Sequence, residues 1–218
     1  TPSEFLKKKL SLNGFEEKRI HCIPTFTASK TTIGKQQIGS YGLYFGRVTE
    51  EKGVETVIKA YEKLPEYTVK IMGDDTTDEA KRLKKYVENH KMKNVEFLGF
   101  KSGAELENVI KGARFTLIPS IWYDNLPNTA LESFQYSKPV IASNIGSLPE
   151  LVIDGENGYL FKPSNVEDLI KKIKMLDDDT LVKKMGQASR KRLESRFAPQ
   201  THYEDLMKIF NEAVKSRK

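Results

Sequence analysis

The sequence predicts an α/β fold in which a mainly parallel sheet is covered by helices on both faces. Short apolar runs at 41–45, 68–72, 95–98, 115–118, 139–142 and 158–161 alternate with stretches of helical periodicity. The runs are apolar at consecutive positions and often β-branched, the mark of strands buried on both sides. Gly46, Gly73, Gly99 and Pro119 punctuate their ends. Right-handed crossovers then gather every strand-to-helix turn on one edge of the sheet, where open α/β sheets bind ligands.

In chain order, 2–13 reads as a short basic helix and 21–23 as a strand leading to Pro24. The stretch 25–40, rich in Thr, Ser, Gly and Gln, reads as a linker. After the first strand of the regular region, Val54, Val57, Ile58, Tyr61 and Leu64 recur at helical spacing, and Pro65 stops them. Ala80, Leu83, Tyr86 and Val87 mark the next helix, and Leu106, Val109 and Ile110 another. Helices are expected at 127–136, 148–152, 165–176, 179–194 and 200–216. No internal repeat or low-complexity segment interrupts this alternation.

Composition narrows the function classes. The 218 residues are 38% hydrophobic and 30% charged, enough for one substantial domain with a well-solvated surface. The single cysteine, Cys22, excludes an internal disulfide and fits a reducing compartment. His21, His90 and His202 are scattered and have no metal-ligand spacing, so no metal is expected. The net charge of +6 comes with lysine and arginine clusters at 7–9, 84–85, 171–172, 183–184 and 190–192. These read either as solvated helix faces or as attraction to an anionic lipid surface. No zinc-finger spacing or RNA-binding aromatic signature is present, and no nucleic-acid partner is expected. There is no apolar run of about 18 residues and no secretory h-region at the start. A cytoplasmic protein is therefore expected, with the inner face of the membrane left open. The chain lacks an initiator Met and reads as a processed product or excised piece.

Two motifs concentrate chemistry on one sheet edge. In Gly46-Arg47-Val48-Thr49-Glu50-Glu51-Lys52-Gly53, Gly46 lets a ligand approach and Arg47 offers a planar fork of donors to phosphate oxygens. Lys52 adds a point charge at a helix start, where backbone N–H groups favour an anion. The order of a P-loop is absent. The second motif, Pro119 to Glu132, carries Asp124 and Glu132 around a polar turn. Pro127 suits a first helical position, and Asn125 and Asn128 suit turns and caps. N–H groups near Asn128 and Thr129 would face a phosphate or sugar, Glu132 would accept vicinal hydroxyls, and Asp124 would reach the sugar side. Each motif also reads as an ordinary turn, with Asp124 as a helix cap and Glu132 as a satisfied acid. Trp122 and Tyr123 either line the cleft or pack, and Phe100, after the strand-end Gly99, reads as a platform for a nucleobase or as core; average burial of these residue types favours packing and core. Gly146 and Ser147 repeat the strand-to-turn geometry without specific chemistry of their own. Gly73-Asp74-Asp75 lacks the spaced ligands of a calcium loop.

These segments occur in the order of one family. The chain resembles the carboxyl-terminal domain of retaining glycosyltransferases of the two-domain GT-B type, glycosyl transferases group 1 (family 4), from about Tyr41 to Phe197. Gly46-Arg47 with Lys52-Gly53, Gly73-Asp74, Phe97-Leu98-Gly99, Pro119-Ser120, Asp124-x7-Glu132, Pro139-Val140-Ile141-Ala142, Pro149-Glu150 and Asp154-Gly155-x2-Gly158 carry the resemblance. It implies a Rossmann-like fold that is one half of a two-domain architecture. Residues 1–36 would be the end of an amino-terminal domain plus the hinge, 37–197 the nucleotide-sugar domain, and 198–218 a helix crossing back.

The resemblance also implies roles. Arg47, Lys52 and Asp124 would be catalytic, the two cations holding the diphosphate and Asp124 lying near the transferred sugar. Gly46, Phe100, Lys101, Asn125, Leu126, Asn128, Thr129 and Glu132 would bind substrate, with Phe100 and Lys101 bordering the base and Glu132 the ribose. The implied partners are a nucleoside-diphosphate sugar, the protein's own amino-terminal domain, and an acceptor that a membrane or lipid would present. No cofactor is implied, and this chain alone would transfer sugar poorly. Two departures stand out: the family's first acid is usually Glu where Asp124 stands, and Pro127 replaces a common Gly. A non-catalytic nucleotide-sugar-binding module and a sugar-nucleotide epimerase of the same architecture are the alternatives. A glycosidase and a dinucleotide oxidoreductase rank below them, because Arg47 and Lys52 would have no phosphate in the first and Gly-x-Gly-x-x-Gly is absent for the second.

Overall fold

The computed structural model describes residues 1–27 and 37–215. Part of the expected linker at 25–40 lies outside them. Six strands, β1 (Tyr41–Phe45), β2 (Thr68–Met72), β3 (Val95–Gly99), β4 (Ala113–Ile118), β5 (Val140–Ser143) and β6 (Gly158–Phe161), form one sheet in the order β3-β2-β1-β4-β5-β6. Every pairing is parallel. Strand order reverses at β1, which lies between β2 and β4. This is the topological switch point at which doubly wound sheets open a crevice.

Alternation along the strands sends side chains to two helical layers. Tyr44, Val69, Ile71, Phe115, Leu117, Ile141, Tyr159 and Phe161 face a core filled from α2 (Val54–Glu62), α3 (Asp78–Asn89), α7 (Val166–Met175) and the start of α8 (Asp179–Arg196). On the opposite face, Leu43, Phe45 and Met72 meet Ile110 of α4 (Gly103–Gly112). Beside them, Ile118, Val140 and Ala142 meet α5 (Asn128–Gln135), α6 (Leu148–Leu151) and the end of α8. The expected sheet with helices on both faces is therefore present.

The ends of the chain sit outside this sandwich. Neither α1 (Glu4–Leu12) nor α9 (Pro199–Lys215) has a buried residue within it. The strand expected at 21–23 does not form: Ile23 N–H donates to Thr1 O at 2.8 Å, and no strand among the described residues lies beside it. The segment instead lies near α9, where the Phe26 ring meets His202 with centroids 4.8 Å apart. Helix α5 begins one residue later than expected, with Pro127 as its N-cap. Proline donates no N–H, so it fits either boundary.

Candidate functional site

Carboxyl ends of β1, β2 and β4 open into two adjoining compartments. The first, about 600 Å³, is lined by Phe45, Gly46, Arg47, Met72, Gly73, Asp74, Phe100, Lys101, Leu106, Thr129 and Glu132. Its wall is mostly apolar, with charged groups at its margins. The second, about 380 Å³, includes Gly46, Arg47, Lys52, Ser120, Asp124, Asn125, Pro127, Asn128 and Thr129. Phe45, Gly46, Arg47 and Thr129 line both and mark the junction.

Local geometry explains how the first motif reaches this place. Gly46 leaves β1 with φ +144°, a conformation other residues rarely adopt, and its N–H donates to Met72 O at 2.9 Å. The turn is fixed from below by Tyr44, whose hydroxyl donates to Arg47 O. Burial, and then the nearby Asp124 charge, push that phenol well above its ordinary pKa, so it remains a donor. The Arg47 side chain is 73% exposed, and its ion pair with Glu51 is long, at 3.8 Å. Helix α2 starts at Val54, where the sequence placed a helix start, but its first residues line neither compartment. Gly53, at φ +68°, is so close to the β4–α5 loop that a Cβ would meet Pro119 O at 2.1 Å. That helix N-terminus is therefore packed against protein and does not line the cleft. The close approach has another result: Ile121 N–H donates to Glu51 O at 3.0 Å, and Lys52 Nζ lies 2.5 Å from Asp124 Oδ1.

The second motif is held as tightly. Ser120 Oγ donates to Asp124 Oδ2, so both carboxylate oxygens of Asp124 have a donor. Asp124 does not cap α5; no side chain caps that helix, and Asn128 and Thr129 N–H make no hydrogen bond among the described residues. Two unpaired donors at a helix start thus border the second compartment, as the sequence suggested. Leu126 departs from expectation. Its side chain is 5% exposed in the core, and its N–H donates to Ser147 Oγ at 2.6 Å. Ser147, read from sequence as chemically plain, also donates through Oγ to Asp124 O at 2.8 Å and so shapes the loop.

Two aromatic placements, Phe100 and Trp122, reverse the expectation from residue type, while Tyr123, though exposed, packs its ring against Phe5. Phe100 is 74% exposed beside the first compartment, Trp122 is 64% exposed and Tyr123 54%. Glu132 is half-buried with no hydrogen bond or ion pair among the described residues, and burial raises its carboxyl pKa. Its carboxylate therefore has no donor among the described residues and is not a satisfied structural acid. Phe45, Met72, Asp74 and Leu106 also line the first compartment and were not singled out as binding residues. Asp74 is held ionised by hydrogen bonds from the Thr76 hydroxyl and N–H.

The profile of the family described as glycosyl transferases group 1 matches residues 29–192. The chain belongs to that family. It is 30% identical over 174 residues to the uncharacterized glycosyltransferase MJ1178 of Methanocaldococcus jannaschii, covering 79% of this chain and 48% of that protein. With the glycogen synthase of Mycobacterium tuberculosis it shares 31% identity over 186 residues, 81% of this chain and 42% of the relative. The group 1 domain thus spans about half the length of the curated relatives it matches. Among solved structures, Anabaena Alr3699/HepE in complex with UDP and glucose matches at TM-score 0.85 and 19% identity, over 97% of this chain and 62% of that one. A glycosyltransferase from Rickettsia africae ESF-5 matches at TM-score 0.88 and 21% identity, over 98% of this chain and 62% of that one. Both likenesses support the Rossmann-like α/β fold. No described helix is long and apolar enough to cross a membrane.

Proposed function

We propose that this group 1 domain is the donor half of a retaining glycosyltransferase that moves a sugar from a nucleoside diphosphate to a glycan, lipid or other acceptor. The observation that carries the reading is the position of Arg47, exposed, loosely paired and lining both compartments. A diphosphate at that junction would place its nucleoside against Phe45, Met72, Phe100 and Leu106, with ribose hydroxyls on Glu132. The sugar would then enter the compartment of Asp124 and Asn125. The UDP and glucose held by Anabaena Alr3699/HepE, a protein of the same fold, support that class of ligand.

In this reading, charge develops on the leaving diphosphate as the glycosidic bond breaks. Arg47 supplies a guanidinium there, and Lys52 keeps two ammonium hydrogens beyond the one given to Asp124. Fixed donors aimed at such charge contribute about 3–4 kcal/mol each. The acceptor hydroxyl loses its proton to the leaving phosphate oxygen as the new bond forms on the same face, which preserves configuration. The reaction as proposed uses these cations and no metal. Residues 1–36 are assigned to the tail of an amino-terminal domain plus hinge, 37–197 to the donor domain and 198–218 to a returning helix. In that assignment an amino-terminal domain would supply the acceptor site.

Thermal shift of this chain with UDP, GDP and ADP tests the reading. A ligand at 100 times its dissociation constant stabilises by about 2.7 kcal/mol. One nucleotide is expected to raise Tm, and Arg47→Ala with Lys52→Ala to abolish the rise. A rise that survives the double substitution would place the phosphate elsewhere.

A further inference from the structure

The segment before the linker reaches the sugar compartment through one fully buried hydroxyl. Ser3 is 0% exposed, and its Oγ accepts the N–H of Leu6 at 3.1 Å as the N-cap of α1. The same Oγ donates to Asn125 Oδ1 at 2.6 Å. This pair of bonds fixes which end of the Asn125 amide faces Ser3. A serine hydroxyl has one proton, and that proton needs an acceptor. Were the amide turned around, its NH2 would point at an oxygen already accepting from Leu6, and the buried Ser3 proton would be stranded. Asn125 Oδ1 therefore stays on Ser3, and the two Nδ2 hydrogens are left for the compartment that Asn125 lines. They make no hydrogen bond among the described residues.

Neighbouring contacts hold α1 in place for this task. Glu150 caps its first turn, accepting Glu4 N–H at 2.9 Å and Phe5 N–H at 2.6 Å. The Phe5 ring lies 5.0 Å from that of Tyr123, and Lys9 Nζ lies 4.9 Å from the Tyr123 ring centre. The loop that carries Asp124 and Asn125 is thus clasped by α1 on one side and by Ser147 on the other.

The geometry points to Ser3 as a positioning residue for donor-sugar selection: it turns the Asn125 amide so that a pair of N–H donors meets the transferred sugar. This deepens the donor-domain reading and rests on it. With Asp124 already engaged by Lys52 and Ser120, the Asn125 amide adds side-chain donors to the backbone N–H groups of Asn128 and Thr129 that border the same compartment. It selects sugars that present a lone pair there, a hydroxyl or ring oxygen, over deoxy sugars that do not.

The test is isothermal titration of this chain with the pairs UDP and UDP-glucose, GDP and GDP-mannose, and ADP and ADP-glucose. The ratio of the two dissociation constants within a pair isolates the sugar and divides out any loss common to both ligands. For the pair that binds, Ser3→Ala and Asn125→Asp are expected to reduce the ratio by at least about threefold, the scale of one neutral hydrogen bond. Ser3→Asp separates positioning from capping: aspartate keeps the N-cap of α1 but has no proton to give, so the ratio falls, and the within-pair ratio divides out the stability lost by burying a charge beside Glu150. Ser3→Thr, which keeps both functions, restores the ratio. In the wild type, the Asn125 side-chain NH2 signal in a ¹⁵N spectrum shifts with the nucleotide-sugar and not with the nucleotide alone. A ratio unchanged in Ser3→Asp and Asn125→Asp, or equal to one in the wild type, overturns the inference and leaves the donor-domain reading standing. If no nucleotide binds the wild type, the donor-domain reading falls and the inference with it.

Discussion

Lys52 and Asp124 belong to different strand-to-helix turns, yet their side chains meet at 2.5 Å and are only 18% and 11% exposed. The contact locks the turn after β1 to the loop after β4, and it places a neutral pair where a free cation was expected. Lys52 therefore orders the second compartment as much as it charges it.

The pair makes a prediction by difference. Removing one partner of a fully buried pair costs about 3–5 kcal/mol, and partial exposure brings the expected loss here to about 1–3 kcal/mol for Lys52→Met. In Lys52→Met with Asp124→Asn the stranded carboxylate is gone, and much of that stability should return. Urea denaturation midpoints measure both. Simple additivity of the single substitutions would show that the two side chains are not coupled.

Arg47 should behave in the opposite way. It is exposed and its ion pair is long, so Arg47→Ala should change stability by less than about 0.5 kcal/mol. Nucleotide diphosphate affinity should nevertheless drop more than about tenfold, since hydrogen bonds to a charged group contribute about 1.5–3 kcal/mol. Titration calorimetry beside a thermal melt gives both numbers. A loss of stability equal to the loss of affinity would reassign Arg47 to the scaffold.

Glu132 predicts a trade between stability and binding. Burial raises its carboxyl pKa above the ordinary 4.5. As pH falls, the folded protein takes up this proton before the unfolded chain does. Its contribution to stability is therefore full below about 4.5 and lost as pH rises through the higher folded value. Glu132→Gln should be more stable than wild type near neutral pH, and the difference should close in acid. The same variant should bind nucleotide more weakly, because ribose hydroxyls lose their charged acceptor. Melts from pH 4 to 8 beside one titration at pH 7.5 check both signs.

Lys138 lies at the amino-terminal edge of the sheet, away from the cleft, with 1% of its surface exposed. Its Nζ donates to the carbonyls of Gln37, Lys111 and Ala113 at 2.6, 2.6 and 2.7 Å. Lys138→Met would orphan three acceptors and should cost about 2–4 kcal/mol near pH 7. Burial also pulls the Lys138 pKa down to about 8. Between about 8 and the ordinary 10.5 the unfolded chain holds a proton that the folded protein has released, so this group makes stability rise with pH across that window. Melts of wild type and Lys138→Met at pH 7 and 9.5 measure the loss and its pH dependence.

Much of this was legible in the sequence because strands buried on both faces are written as apolar runs, and their ends as glycine or proline. Arg47, Lys52, Asp124, Asn125, Asn128, Thr129 and Glu132 were placed on one edge by that pattern alone, and the structure brings them together. What was hidden is what depends on contact between distant residues. The Lys52–Asp124 pair follows from the approach of Gly53 to Pro119, which no local signal announces. The resemblance implied Leu126 as a substrate-binding residue of the turn, but at φ +56° its side chain turns into the core. Phe100 was weighed by average burial, which fails on a residue that rims a cleft. Ser3 carried no signal, because its partner lies 122 residues away.

The central position of β1 bears on how the domain is made. During synthesis β1 and β2 emerge together, while the other neighbour of β1, residues 113–118, is still to come. Until β4 arrives, β1 offers an open, apolar edge of unpaired N–H and C=O groups, a template for pairing with another chain. Closing the β1–β4 ladder also requires a long loop to be drawn in first, which slows folding. A nascent chain stalled short of β4 would be the aggregation-prone species, and a chaperone that shields that edge would act in this interval.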